Sequence, residues 1–103
     1  MPNFMIEYHG GNKPASEEEA IEQMNKWKDW VNRLGQTITN SGTPLKNSKI
    51  LTAEGVKDDD DPNSLKGYAV IQVDSIDSAV RIARTDPFLQ YGGTIRISEM
   101  IEK

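Results

Sequence analysis

One histidine is the side chain best suited to proton transfer in this 103-residue sequence. His9 follows an apolar segment and precedes Gly10–Gly11, where a ligand can approach the backbone closely. Its reference pKa near neutrality makes it a candidate general base; the alternative is a partly exposed histidine at a strand end. With one histidine and no cysteine, the sequence offers no two-histidine metal site, no disulfide and no thiol nucleophile.

Asp86 is the candidate partner of His9. It lies immediately before Pro87 and Phe88, and its carboxylate could fix the imidazole tautomer or bind a polar ligand. An aspartate in this setting can also cap the turn by accepting hydrogen bonds from nearby backbone N–H groups. We therefore predict that His9 and Asp86 form a catalytic pair, with turn capping as the alternative for Asp86.

Three aromatic residues are candidate ligand contacts. Tyr68 and Tyr91 flank the last two predicted strands, and each phenol could donate a hydrogen bond to a ligand, although strand tyrosines commonly serve packing. Trp30 lies beside the apolar face of the first predicted helix. Three positions are open to it, namely the edge of a pocket, a dimer contact and the core. Trp27 belongs to that apolar face and is predicted to lie in the core.

Charge and motif patterns argue against several classes of function. Twelve basic and sixteen acidic residues give a formal net charge of −4, without the basic stripe expected of a nucleic-acid-binding protein. The acidic run Asp58–Asp61 is not followed by the glycine and glutamate that an EF-hand loop requires, so a solvated loop is predicted. Because Gly-x-Gly-x-x-Gly and Walker A patterns are also missing, we expect no metal, no cofactor and no nucleic-acid partner.

The N-terminus lacks the basic and apolar regions of a signal peptide, and no apolar run approaches the length of a membrane span. A cytoplasmic protein without a membrane partner is the expectation.

The first half of the chain contains a predicted strand and a long helix. Phe4–His9 alternates in the manner of a strand, with Phe4, Ile6 and Tyr8 on one face. Ser16 and Glu19 form a capping box, after which apolar residues recur at helical spacing up to Gly35. This apolar helix face contains Ala20, Met24, Trp27, Val31 and Leu34.

The second half repeats the order of strand and helix. Predicted strands cover Gln36–Asn40, Gly67–Val73 and Thr94–Met100, and a small hairpin is predicted from Lys49–Thr52 and Val56–Lys57. A second helix begins after Asp74–Ser75 and ends before Pro87; its apolar residues are Ile76, Ala79, Val80 and Ala83.

The order β-α-β-β-α-β predicts an α+β fold of the ferredoxin-like type, formed by one domain over residues 1–103. Right-handed crossovers place both helices on one face of the antiparallel sheet, with the small hairpin as an insertion. The other face then lacks a cover, and a second copy of the same sheet would supply one. We therefore expect a homodimer.

Several segments resemble the YCII-related family, in particular its DGPF-type branch. They are FMIEYHGG, EEEAIEQMNKWKDWVNRLG, TNSGTPL and GYAVIQVDSIDSAVRIARTDPFLQYGGTIRI, which together span roughly residues 3 to 100. The resemblance implies a dimeric α/β barrel, in a family whose members mostly lack an established activity and which includes a dehydrochlorinase.

Two positions depart from the family pattern. Asp58–Asn63 replaces the Asp-Gly-Pro-Phe motif, and Met24 stands where other members carry the helix histidine of a proposed His-Asp pair. The sequence predicts a small-molecule-binding or enzyme-like homodimer with a pocket between sheet and loops. The alternative is a regulatory or protein-interaction module without catalysis.

Overall fold

Six strands and two α-helices make up the computed structural model, which describes residues 1–102. The strands are β1 (Asn3–Gly10), β2 (Ile38–Asn40), β3 (Lys49–Thr52), β4 (Gly55–Asp58), β5 (Leu65–Gln72) and β6 (Gly93–Glu99). The helices are α1 (Glu17–Leu34) and α2 (Ile76–Ala83), and short 3-10 helices cover Gly35–Thr37 and Pro87–Tyr91. No helix in residues 1–102 has the length and apolarity to cross a membrane.

Four of the strands form one antiparallel sheet in the order β2-β5-β1-β6. The first strand of the chain therefore lies inside the sheet, between β5 and β6, and pairs antiparallel with both. This is the strand order of the ferredoxin-like fold, so the predicted α+β class is confirmed. The predicted hairpin insertion is also present, with β3 and β4 paired as a separate two-stranded sheet.

The core lies between one sheet face and the two helices. Burial along β1 alternates strictly, and its buried side chains Phe4, Ile6 and Tyr8 pack against the helices. They meet Ala79 and Ala83 of α2 in one cluster, with α1 packed against the same cluster. Both helices thus cover the same sheet face, as the right-handed crossovers require.

Trp30 is the most deeply buried residue of α1. It is 2% exposed, and its Nε1–H donates a hydrogen bond of 2.8 Å to Thr85 Oγ1. Trp27, predicted to lie in the core, is only half-buried. The helix begins as predicted, since Ser16 Oγ accepts a hydrogen bond of 3.1 Å from the Glu19 N–H.

The opposite sheet face is mixed rather than uniformly apolar. Because residues paired across antiparallel strands share a face, Glu7 lies with Tyr68 of β5 and Arg96 of β6. His9 and Met5 of β1 lie on this face as well, and both are half-buried. We call this surface the open sheet face.

Candidate functional site

A cavity of about 290 Å³ lies between α1, the ends of β1 and β5, and two loops. Five of the chain's seven aromatic residues line it: Tyr8, Trp27, Tyr68, Phe88 and Tyr91. The remaining wall includes Ala20, Gln23 and Met24 of α1, Thr43 and Pro44 of one loop, and Lys66 of β5. We call it the aromatic cavity.

Two close backbone approaches shape the wall, and both require glycine. Gly42, with φ of 68°, lies against the backbone of Tyr68, where a Cβ atom would come within 1.8 Å of the carbonyl oxygen. This contact brings the Thr43–Pro44 loop onto β5. At Gly93, a Cβ atom would lie 2.3 Å from Phe88 Cε2, so the missing side chain makes room for the aromatic ring.

A chain of hydrogen bonds runs from the cavity wall into the core. Trp27 Nε1–H donates to Tyr8 Oη at 3.1 Å, and the Tyr8 hydroxyl donates to Asp86 Oδ2 at 2.6 Å. An indole nitrogen can only donate, so the Tyr8 oxygen accepts from Trp27 and directs its own proton toward Asp86. Trp27 therefore fixes the direction of both hydrogen bonds, from Trp27 through Tyr8 to Asp86.

Asp86 is a buried carboxylate at the end of this chain. It is 2% exposed, and its second oxygen, Oδ1, accepts a hydrogen bond of 2.9 Å from the Phe88 N–H. Burial raises the pKa of Asp86, and the hydrogen bonds from Tyr8 and Phe88 partly oppose that rise. No basic side chain of residues 1–102 forms an ion pair with it.

Tyr8 is held in its neutral form by the same surroundings. Burial, followed by the charge of Asp86 and its hydrogen bond, raises the pKa of the Tyr8 phenol, while the hydrogen bond from Trp27 acts in the opposite direction. Its ring packs edge-on against Phe88, with ring centres 5.0 Å apart. Tyr8 is consequently a fixed hydrogen-bonding group rather than a nucleophile.

Tyr91 lines the same cavity but, unlike Tyr8, its hydroxyl group forms no hydrogen bond within residues 1–102. This hydroxyl is also buried. A buried hydroxyl without a partner costs free energy, so Tyr8 and Tyr91 differ sharply in how well their hydroxyl groups are satisfied.

The structure does not bring His9 and Asp86 together. His9 Nδ1 lies 3.1 Å from the Asn63 carbonyl oxygen, and Nε2 lies 3.6 Å from Glu7 Oε1. Successive side chains of a strand point to opposite faces, so His9 lies on the open sheet face while Tyr8 points toward Asp86. Tyr8 thus takes the place predicted for His9 as the partner of Asp86. Asp86 also caps the Pro87–Tyr91 turn, as the alternative interpretation held.

The aromatic candidates fall in different places. Tyr68 and Tyr91 both line the aromatic cavity, whereas Trp30 lies in the core away from it. Trp27 lines the cavity instead, because α1 directs it toward the sheet end and Trp30 toward Thr85. Sequence analysis missed Tyr8, although strand alternation had already placed it on the face of β1 that faces the helices.

No cluster of three or more metal-ligating acidic, histidine or cysteine side chains occurs within residues 1–102.

Comparisons with known proteins agree with this architecture. The model of the YCII-related domain matches residues 1–102 of the chain. No curated protein matches it. Among solved structures, it is similar to 5-chloro-2-hydroxyhydroquinone dehydrochlorinase from Burkholderia phenoliruptrix, in complex with 2,5-dihydroxybenzoquinone. The TM-score is 0.61 at 17% identity, covering 98% of this chain and 95% of that one. A likeness at this identity shows a shared fold.

Proposed function

We propose that this chain, which belongs to the YCII-related family, binds a small ring compound in the aromatic cavity. The observation that carries the proposal is a single cavity lined by five of the chain's aromatic residues, with Tyr8 presenting a hydroxyl at its wall. Ligand sites are typically concave and apolar, with a few placed polar groups that orient the ligand.

The size of the cavity favours a compound with a single ring. Its volume of about 290 Å³ lies just below the range of about 300–1,000 Å³ that is typical of ligand pockets. The dehydrochlorinase of the same fold is in complex with a compound of one six-membered ring. Trp27 and Phe88 both line this space.

The chemistry of the wall favours binding over proton-transfer catalysis. The Tyr8 phenol has a raised pKa and donates its proton to Asp86, and Asp86 lies behind Tyr8 without lining the cavity, so neither group is placed to take a proton directly from a ligand. Met24 lines the cavity at the position where the resemblance implies a helix histidine, and His9 lies on the open sheet face. A histidine-based general base is thus missing from the described wall.

A cavity-filling pair of variants tests the binding proposal. Ala20→Phe places a ring in the cavity, whereas Ile21→Phe adds aromatic bulk at a neighbouring position that is 60% exposed. Saturation-transfer NMR with benzyl alcohol should show binding to the wild type and to I21F, and loss of binding in A20F. An equal signal from all three proteins would mean that the aromatic cavity is not the binding site.

We also propose that two copies associate through the open sheet face. The support is a four-stranded sheet with helices on one face only, together with the family resemblance. Light scattering after size exclusion should give twice the 11.5 kDa chain mass. Met5→Arg, on the open sheet face, should reduce that mass, and Ile21→Arg on α1 should not. A monomeric wild type at micromolar concentration would contradict the proposal.

A further inference from the structure

Asp86 is a buried carboxylate without a charge partner in the part of the chain that the structure describes. It accepts one hydrogen bond at each oxygen, from Tyr8 and from Phe88, and no lysine, arginine or histidine of residues 1–102 forms an ion pair with it. A buried carboxylate in such surroundings is expensive unless a positive charge compensates it. This carboxylate lies directly behind a cavity whose wall is largely aromatic.

We propose that the aromatic cavity selects an organic cation, namely a protonated amine attached to a single ring. The inference rests on the binding function proposed above and specifies its ligand class. Two features converge on it: the negative faces of aromatic rings attract ammonium groups, and Asp86 supplies a fixed negative charge beyond Tyr8.

The hydrogen-bond direction strengthens this preference. Since Trp27 donates to Tyr8 and Tyr8 donates to Asp86, the Tyr8 proton is committed to the carboxylate. A ligand at Tyr8 therefore meets an oxygen that can accept, which suits an N–H group. A ligand carboxylate would find no donated proton at the Tyr8 oxygen, and the negative charge of Asp86 behind Tyr8 would repel it.

Within residues 1–102, Lys66 is the only charged residue that lines the aromatic cavity, and it does not neutralise Asp86. Its side chain is exposed, where water screens the charge. It also borders a second, polar cleft that contains Asp58 and Asp59, two carboxylates closer to the surface. Buried Asp86 thus acts on the cavity through a medium of lower dielectric than exposed Lys66 does.

Three single-ring probes of similar size separate charge from ring binding: benzylammonium, benzyl alcohol and benzoate. Calorimetric titration at pH 7 and low salt should give benzylammonium an affinity about tenfold above that of benzyl alcohol, with benzoate the weakest. Equal or reversed affinities would overturn the cation preference while leaving ring binding intact. Failure of all three probes to bind would instead contradict the proposed function.

Charge removal at constant shape tests the role of Asp86. Asp86→Asn should reduce the preference for benzylammonium over benzyl alcohol to within about twofold, and Asp77→Asn, the same change at an exposed position of α2, should leave it unchanged. Lys66→Gln removes an exposed positive charge from the cavity wall and leaves the core intact. This variant should therefore increase the preference for benzylammonium over benzyl alcohol. An unchanged ratio in folded D86N, or a decreased ratio in K66Q, would refute the assignment.

Discussion

Replacing Tyr8 with phenylalanine removes a single oxygen atom on which two other residues depend. Asp86 loses one of its two donors, and Trp27 Nε1–H loses its acceptor. A hydrogen bond to a charged group contributes about 1.5–3 kcal/mol, and a neutral bond about 1 kcal/mol. Tyr8→Phe should therefore lower the free energy of unfolding by about 3 kcal/mol, a large share of the ~5–15 kcal/mol available to a domain.

Tyr91→Phe is the matched control, because it removes the same atom from the same cavity. The Tyr91 hydroxyl is buried and has no partner among the described residues, so its removal should be neutral or slightly stabilising. Urea denaturation of both variants measures the difference in their free energies of unfolding, provided that the slope of this free energy against urea concentration is the same in both. Similar free energies of unfolding for Y8F and Y91F would refute the claim that the hydrogen bonds joining Trp27, Tyr8 and Asp86 stabilise the folded protein.

Three further predictions use the same denaturation assay. Burial raises the pKa of Asp86, so the folded state binds a proton on this carboxyl group more tightly than the unfolded state does. The free energy of unfolding of the wild type should therefore fall relative to that of D86N as the pH rises from below the ordinary aspartate pKa through the raised pKa. Trp30→Ala should cost about 3–5 kcal/mol, and Trp27→Ala clearly less because that ring is half-buried, so equal losses would contradict the observed packing. Gly93→Ala should cost about 1–3 kcal/mol and weaken ring binding, since the new Cβ atom displaces Phe88.

Local patterns were sufficient to predict the strands and α-helices of the fold, but not the 3-10 helices at Gly35–Thr37, where the strand predicted at Gln36–Asn40 begins, and at Pro87–Tyr91. The strand predicted at Phe4–His9 is observed at Asn3–Gly10, and the hairpin strand predicted at Lys49–Thr52 is observed with those bounds. Alternation of period two and apolar spacing of three to four residues are properties of neighbouring residues, which a single sequence displays directly. The β-α-β-β-α-β order of these elements then predicted the ferredoxin-like fold, and the right-handed crossovers placed both helices on one sheet face.

The site was harder to predict because its contacts join distant parts of the chain. Tyr8 and Asp86 are 78 positions apart, and nothing in either local pattern indicates their hydrogen bond. The helix periodicity showed which face of α1 is apolar, but not that Trp30 would find Thr85 and become buried while Trp27 stays at the cavity. Depth of burial depends on the elements packed opposite, which periodicity does not reveal.

The two indole N–H groups allow the most direct test of ligand binding in the aromatic cavity. Trp27 lines that cavity, whereas Trp30 is bonded to Thr85 in the core. In a proton–nitrogen correlation spectrum, titration with benzyl alcohol should shift the Trp27 indole signal to saturation and leave the Trp30 signal in place, with the two assigned through Trp27→Phe. An unmoved Trp27 signal, or equal shifts of both indoles without saturation, would contradict the proposed function.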